Sequence, residues 1–175
     1  MEGATAFLMA ADRADAAMMR LLLELGADPF LTNVENSTPL MAAAGLGTTA
    51  PEEESGTESE ALESVQMLLE LGADVNAVDD NGDTVMHGAA LGSFPKVLQF
   101  LADNGAAADV WKQQNRQGRT PLFIAEGYRG GNFQPNRPTI DAVALIMLAE
   151  GLSTDGPRPE LLDPYGKPAV PLEKP

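Results

Sequence analysis

Residues 65–74 read VQMLLELGAD, an apolar run that stops at Gly72 and exits through Ala73-Asp74. Residues 18–28, MMRLLLELGAD, end on the same triplet, Gly26-Ala27-Asp28. Residues 97–105, VLQFLADNG, end at Gly105 and continue with the looser Ala106-Ala107. A Thr-initiated segment precedes each run: TAFLMAA from Thr5, TPLMAAA from Thr38, TVMHGAA from Thr84 and TPLFIAE from Thr120. Thr5 to Thr38 is 33 residues, as is Gly72 to Gly105. A period of this size, carrying two apolar segments per unit, predicts stacked helical hairpins.

The local chemistry agrees with that reading. Thr at a helix N-cap satisfies an orphan amide, and Pro39 and Pro121 suit the first helical turn. In the second helix, Met18, Met19, Leu21 and Leu22 align with Ser64, Val65, Met67 and Leu68. Val97, Leu98, Phe100 and Leu101 follow, then Val143, Ala144, Ile146 and Met147. Spacings of three and four predict one buried face. Gly26, Gly72, Gly105 and Gly151 follow these helices, where a left-handed residue ends the turn. The links between hairpins are turn-rich, and Asn81-Gly82 and Gln117-Gly118 read as tight turn tips.

Composition sets bounds on function. The chain has 175 residues, 44% of them apolar and only 5% aromatic, so packing rests on Leu, Ala, Met and Val. The formal net charge of −15 argues against nucleic acid and against an anionic membrane surface as partners. There is no cysteine, which removes disulfides, thiolate metal sites and a Cys nucleophile but does not choose a compartment. No apolar run reaches membrane-spanning length. MEGATAFLMAADRAD does not read as a signal peptide, so a cytoplasmic location and an extracytoplasmic one after leader removal both fit.

These residues together resemble the ankyrin repeat family. TPLMAAA, TVMHGAA and TPLFIAE match its T-P-L-H-x-A-A helix start, LLLELGADPF and MLLELGADVNA its second helix and exit, and DDNGDT its hairpin. The resemblance implies an all-α solenoid with β-hairpin fingers. The repeat domain is expected over residues 1–154, with repeats near 3–32, 33–77, 78–111 and 112–152. It also implies a concave groove, made by the first helices and the fingers, that binds a protein or peptide without catalysis.

Departures from the period locate further features. Thr to Gly spans 21 residues in repeats 1 and 3, but 34 in repeat 2 and 31 in repeat 4. The extra residues fall within Gly47–Glu63 and Gly127–Pro138, between the two helices of their hairpins, and are expected to stand side by side across repeat 3. This pattern resembles a subset of bacterial ankyrin proteins. The link before repeat 4 is longer too, around Trp111, the only Trp.

Expected partner contacts are Val34, Glu35, Asn36, Asp79, Asp80, Asn81, Trp111, Gln114 and Arg116 on the fingers, and Tyr128, Arg129 and Phe133 in the second insertion. Arg129 and Arg137 are candidates to pair with the Glu-rich first insertion, where Thr57-x-x-Glu60 reads as a capping box.

The first repeat lacks a finger and carries apolar residues on its outer face, so the array reads as truncated. Phe7, Met9 and Met18 are the expected self-association contacts, and a homo-oligomer or filament is the alternative function. Residues 155–175 hold six prolines and form an extended tail. Its Leu161, Leu162, Tyr165, Val170 and Leu172 either dock on the last repeat or belong to a disordered linker.

Enzymatic readings find little support. His87 is the only histidine, and the resemblance implies that it bonds the neighbouring loop. Asp79–Asp83 lacks the ligand spacing of a calcium loop, and no phosphate-binding glycine motif occurs. No catalytic residue, cofactor site or metal site is expected.

Overall fold

A computed structural model describes residues 2–48, 56–128 and 134–159. Nine helices lie in these residues: α1 Ala6–Asp12, α2 Ala16–Glu24, α3 Pro39–Ala43, α4 Glu58–Glu70, α5 Val85–Gly92, α6 Pro95–Asp103, α7 Ala108–Trp111, α8 Pro121–Ala125 and α9 Arg137–Ala149. The pairs α1/α2, α3/α4, α5/α6 and α8/α9 are the four hairpins. First helices pack in the order α1, α3, α5, α8, and second helices in the order α2, α4, α6, α9.

The expected caps are present. The hydroxyls of Thr5, Thr38 and Thr120 accept from Leu8 N, Met41 N and Phe123 N at 3.1, 3.1 and 3.3 Å. Thr57 and Glu60 form the capping box of α4, Thr57 N donating to Glu60 Oε2 at 2.7 Å. That hydrogen bond is the main reason the Glu60 carboxyl lies below the usual range. The four exit glycines have φ between 72° and 95°, the region where a side chain is strained.

The core is a slab running from Phe7 and Met19 through Leu40, Val65, Leu68, Met86 and Leu98 to Val143 and Ile146. Repeats 2 and 3 approach closely. A Cβ on Gly88 would stand 2.9 Å from Met41 O and 3.0 Å from Leu46 N, so α5 rests directly on the turn that leaves α3. Gly45 sits in that turn, and a Cβ there would stand 3.0 Å from Gly88 O.

Four expectations change. No strand is formed among the described residues, because each finger is a short turn closed by two backbone bonds of its own. The link before repeat 4 contains a helix, α7. In α2 only Met19 of the four aligned apolar residues is fully buried, since α2 has neighbours on one side alone. Phe7 is buried against the slab and cannot serve as a contact between copies, whereas Met9 is 59% exposed and Met18 also faces out.

The described part of the tail docks. Residues 153–159 turn back so that the Arg158 guanidinium lies 5.3 Å from the Phe123 ring centre. Its Nη2 donates to Glu126 Oε1 at 2.7 Å and to Thr154 O at 3.0 Å. Its Nε is 2.6 Å from Glu126 Oε2, a charge contact without hydrogen-bond alignment. The tail residues Leu161, Leu162, Tyr165, Val170 and Leu172 lie outside the described residues.

Gly88→Ala is expected to destabilise the chain by about 1–3 kcal/mol, because the added methyl meets backbone that belongs to the neighbouring repeat. Urea unfolding followed by circular dichroism checks this, and an unchanged midpoint would contradict it.

Candidate partner-binding face

Each finger is built from the residue five before its Thr. Asn33, Asp79 and Asn115 hold that position. Their backbone amides donate to Ser37 O, Asp83 O and Arg119 O at 3.2, 3.0 and 2.9 Å. Their side-chain oxygens each accept two further backbone amides. Asn33 Oδ1 takes Glu35 N and Ser37 N at 3.0 and 2.8 Å. Asp79 Oδ1 takes Asn81 N and Asp83 N at 2.8 and 2.9 Å. Asn115 Oδ1 takes Gln117 N and Arg119 N, both at 3.0 Å. A short side chain with a carbonyl or carboxylate oxygen is what this turn requires. The tip residues Asn36, Gly82 and Gly118 take φ values of 59°, 78° and 73°.

Neighbouring fingers then join in one register. Asp80 N donates to Glu35 O at 2.9 Å and Arg116 N to Asn81 O at 2.7 Å. Val34 N donates to Glu2 O at 3.2 Å in the same way, so the residues before Thr5 supply the acceptor edge of a finger. Side chains reinforce the row: Ser37 Oγ donates to Asp79 Oδ2 at 2.9 Å, Asn36 Nδ2 to Asp80 Oδ1 at 3.0 Å and Asn115 Nδ2 to Asp83 Oδ1 at 2.7 Å.

His87 ties the last finger to the helices. Thr84 N donates to its Nδ1 at 3.2 Å, so that nitrogen accepts and Nε2 donates to Arg119 O at 3.3 Å. The ring is fully buried, and burial pushes its pKa down to about 4. This is the loop bond that the family resemblance implied. Burial also raises the Asp83 carboxyl, against the bond from Asn115 that lowers it.

The structure sorts the candidate contacts. Val34, Glu35, Asn36, Asp80, Gln114 and Arg116 are exposed, and Asn81 and Tyr128 are half-buried. Asp79 is buried and committed to the finger, so it is withdrawn as a partner contact. Trp111 is withdrawn for the same reason: it is 2% exposed, packs into the slab and donates from Nε1 to Ala106 O at 3.2 Å. Arg129 and Phe133 lie outside the described residues. Arg137 pairs with Asp141 at 2.9 Å within its own helix.

The feet of both insertions do flank repeat 3. Thr57 and Glu58 on one side and Asn136 and Pro138 on the other line a depression of about 560 Å³ with Phe94 and Pro95 at its floor. Glu58 Oε1 accepts from Lys96 N at 2.6 Å there. Among the described residues no group of three or more potential ligands could hold a metal, and no helix is long and apolar enough to cross a membrane.

Signals for the buried roles were present in the sequence. Asp79 and Asn115 recur at one distance from Thr84 and Thr120, and a recurring position marks a structural part before it marks a variable contact.

Comparison with known proteins points to ankyrin repeats. The family profile described as "Ankyrin repeats (many copies)" matches residues 57–102, and the "Ankyrin repeat" profile matches residues 2–34. An ankyrin repeat protein of Acanthamoeba polyphaga mimivirus is 31% identical over 59% of the chain and 19% of its own length. The E3 ubiquitin-protein ligase KEG of Arabidopsis thaliana is 31% identical over 67% of the chain and 7% of its own length. The B-cell lymphoma 3 protein homolog of Mus musculus is 30% identical over 73% of the chain and 25% of its own length. The chain thus spans a quarter or less of each of these relatives.

The lowered His87 pKa makes stability depend on pH. Protonation favours the unfolded chain, whose histidine titrates near 6.5, so stability falls as pH drops from about 6.5 to about 4. The loss should approach about 3 kcal/mol, partly offset at the acid end by proton uptake on Asp83. Urea midpoints of wild type and His87→Gln across this range should converge as pH falls. Parallel curves would contradict the assignment.

Proposed function

The chain belongs to the ankyrin repeat family, and from that premise we propose that it is a non-catalytic module holding a protein or peptide against its row of finger tips. One observation carries the reading: three bonds in one register tie the fingers into a row, while the tip side chains Val34, Glu35, Asn36, Asp80 and Arg116 face solvent. A surface whose backbone is already fixed loses little entropy on binding.

Charge along the row supports a direction. Glu2, Glu35 and Asp80 make the first fingers acidic. Arg116 lies on the last finger, and among the described residues it makes no salt bridge. A partner segment with basic residues facing Glu35 and Asp80 and an acidic residue facing Arg116 fits this arrangement. Charges of this kind set orientation and association rate more than affinity.

A second reading rests on a separate observation. Met9, Met18, Leu21 and Leu25 of repeat 1 are all exposed, Leu25 at 75%. Self-association through this face would cover them.

The two readings separate by mutation. Immobilised through its C-terminus, the chain should retain a partner from lysate of its source cells. Charge reversal by Glu35→Lys should lower that retention by about tenfold without changing the melting temperature. Unchanged retention would contradict the finger row. Light scattering during size exclusion reads the second idea: a mass above 18.4 kDa that returns to it in Met9→Glu supports self-association. A mass of 18.4 kDa at every concentration contradicts it.

A further inference from the structure

Repeats 2 and 3 are joined by a side-chain clamp. Asn76 stands four residues after Gly72, and its amide spans the exit loop of repeat 3. Nδ2 donates to Gly105 O at 3.0 Å and Oδ1 accepts from Ala107 N at 2.7 Å. One planar amide thus satisfies a backbone carbonyl and a backbone amide two residues apart.

The same register between repeats 1 and 2 is occupied differently. Four residues after Gly26 stands Phe30, and the corresponding backbone groups are Gly72 O and Asp74 N. A phenyl ring can bond neither. Neither group has a hydrogen-bond partner among the described residues. Between repeats 3 and 4 the register falls on Asp109, within α7, which pairs with Lys112.

What Phe30 leaves is a shaped vacancy. The half-exposed ring, with Pro29, Pro39 and Leu40, faces the 72–74 exit loop across a cleft of about 290 Å³. The walls are mostly apolar, and the loop carries one free donor and one free acceptor at the spacing that Asn76 bridges in the next repeat.

We propose that this cleft binds a side-chain carboxamide, Asn or Gln on an apolar segment of a partner polypeptide, which takes the place of the missing clamp. The internal copy of the site fixes the chemistry. A carboxylate offers no donor to Gly72 O and meets an acidic surface that includes Asp28 and Asp74. An alkyl side chain offers nothing to either backbone group. The site does not depend on the finger-row reading, since none of the exposed finger tips lines it.

The test uses the full chain labelled with ¹⁵N and two blocked peptides, acetyl-Leu-Asn-Leu-amide and acetyl-Leu-Asp-Leu-amide, each titrated to about 10 mM. The Asn peptide is expected to shift the Asp74 amide and to titrate at least about tenfold more tightly than the Asp peptide. Phe30→Asn should refill the register from within: the Asp74 amide moves without peptide, the melting temperature rises by about 2–4 °C, and the titration disappears. Phe30→Ala leaves both backbone groups free, so it should bind more weakly yet keep the preference for Asn. Equal titration by the two peptides, no shift at Asp74, or undiminished binding by Phe30→Asn would overturn the proposal.

Discussion

The structure depends on a short polar side chain repeated at one place: the oxygen of Asn33, Asp79 and Asn115 that accepts two backbone amides of its own turn. A finger tip has too few residues for a strand ladder, so its amides need a local acceptor. Once that acceptor closes the turn, the outward backbone groups sit where the next finger can meet them, and the bonds between fingers follow in register. Asp79 shows the dependence most fully, since its second oxygen also receives Ser37 from the finger before. His87 extends the same network to the helices by bonding Arg119 O on the last finger.

The apolar slab and the polar row are thus two solutions to one problem. Neither a hairpin nor a finger satisfies itself, and each is completed by its neighbour. Where a neighbour is lacking, the difference shows. At the far end Arg158 lies over Phe123 and pairs with Glu126, closing the surface of α8. At the near end Met9, Met18, Leu21 and Leu25 remain open to solvent. Substitutions inside the stack are visible too, because every position has internal copies for comparison. Gly88 stands where repeat 2 has Ala42, and Phe30 where it has Asn76; in both cases the changed residue shapes the interface it faces.

The repeats, the caps and the exit glycines were legible in the sequence because each is a local chemical requirement that recurs at a fixed distance. Thr57 with Glu60, and Asn81 with Gly82, needed only their own neighbours to be read. The direction in which a side chain points across repeats was not legible. Trp111 reads as an exposed finger residue until α7 forms and turns its ring into the slab, and Phe7 looks like an outer residue until α3 covers it. On charge alone Arg137 reads as a partner for distant glutamates, whereas Asp141 one turn away takes it. Burial of this kind is decided by packing between elements, which periodicity within an element does not encode. Of the expected contacts, most of those at the finger tips are exposed, because turn tips protrude whatever the stack does around them.

The central claim is that the fingers form one fixed row before any partner arrives. Amide hydrogen exchange on the isolated chain reads it directly. Asp80 and Arg116, whose amides cross between fingers, should be protected to within about tenfold of the helical amides of Ala89 and Leu98. Exchange at those two amides near the rate of an unstructured chain, with the helices still protected, would mean that the fingers move independently and that the row is not preformed.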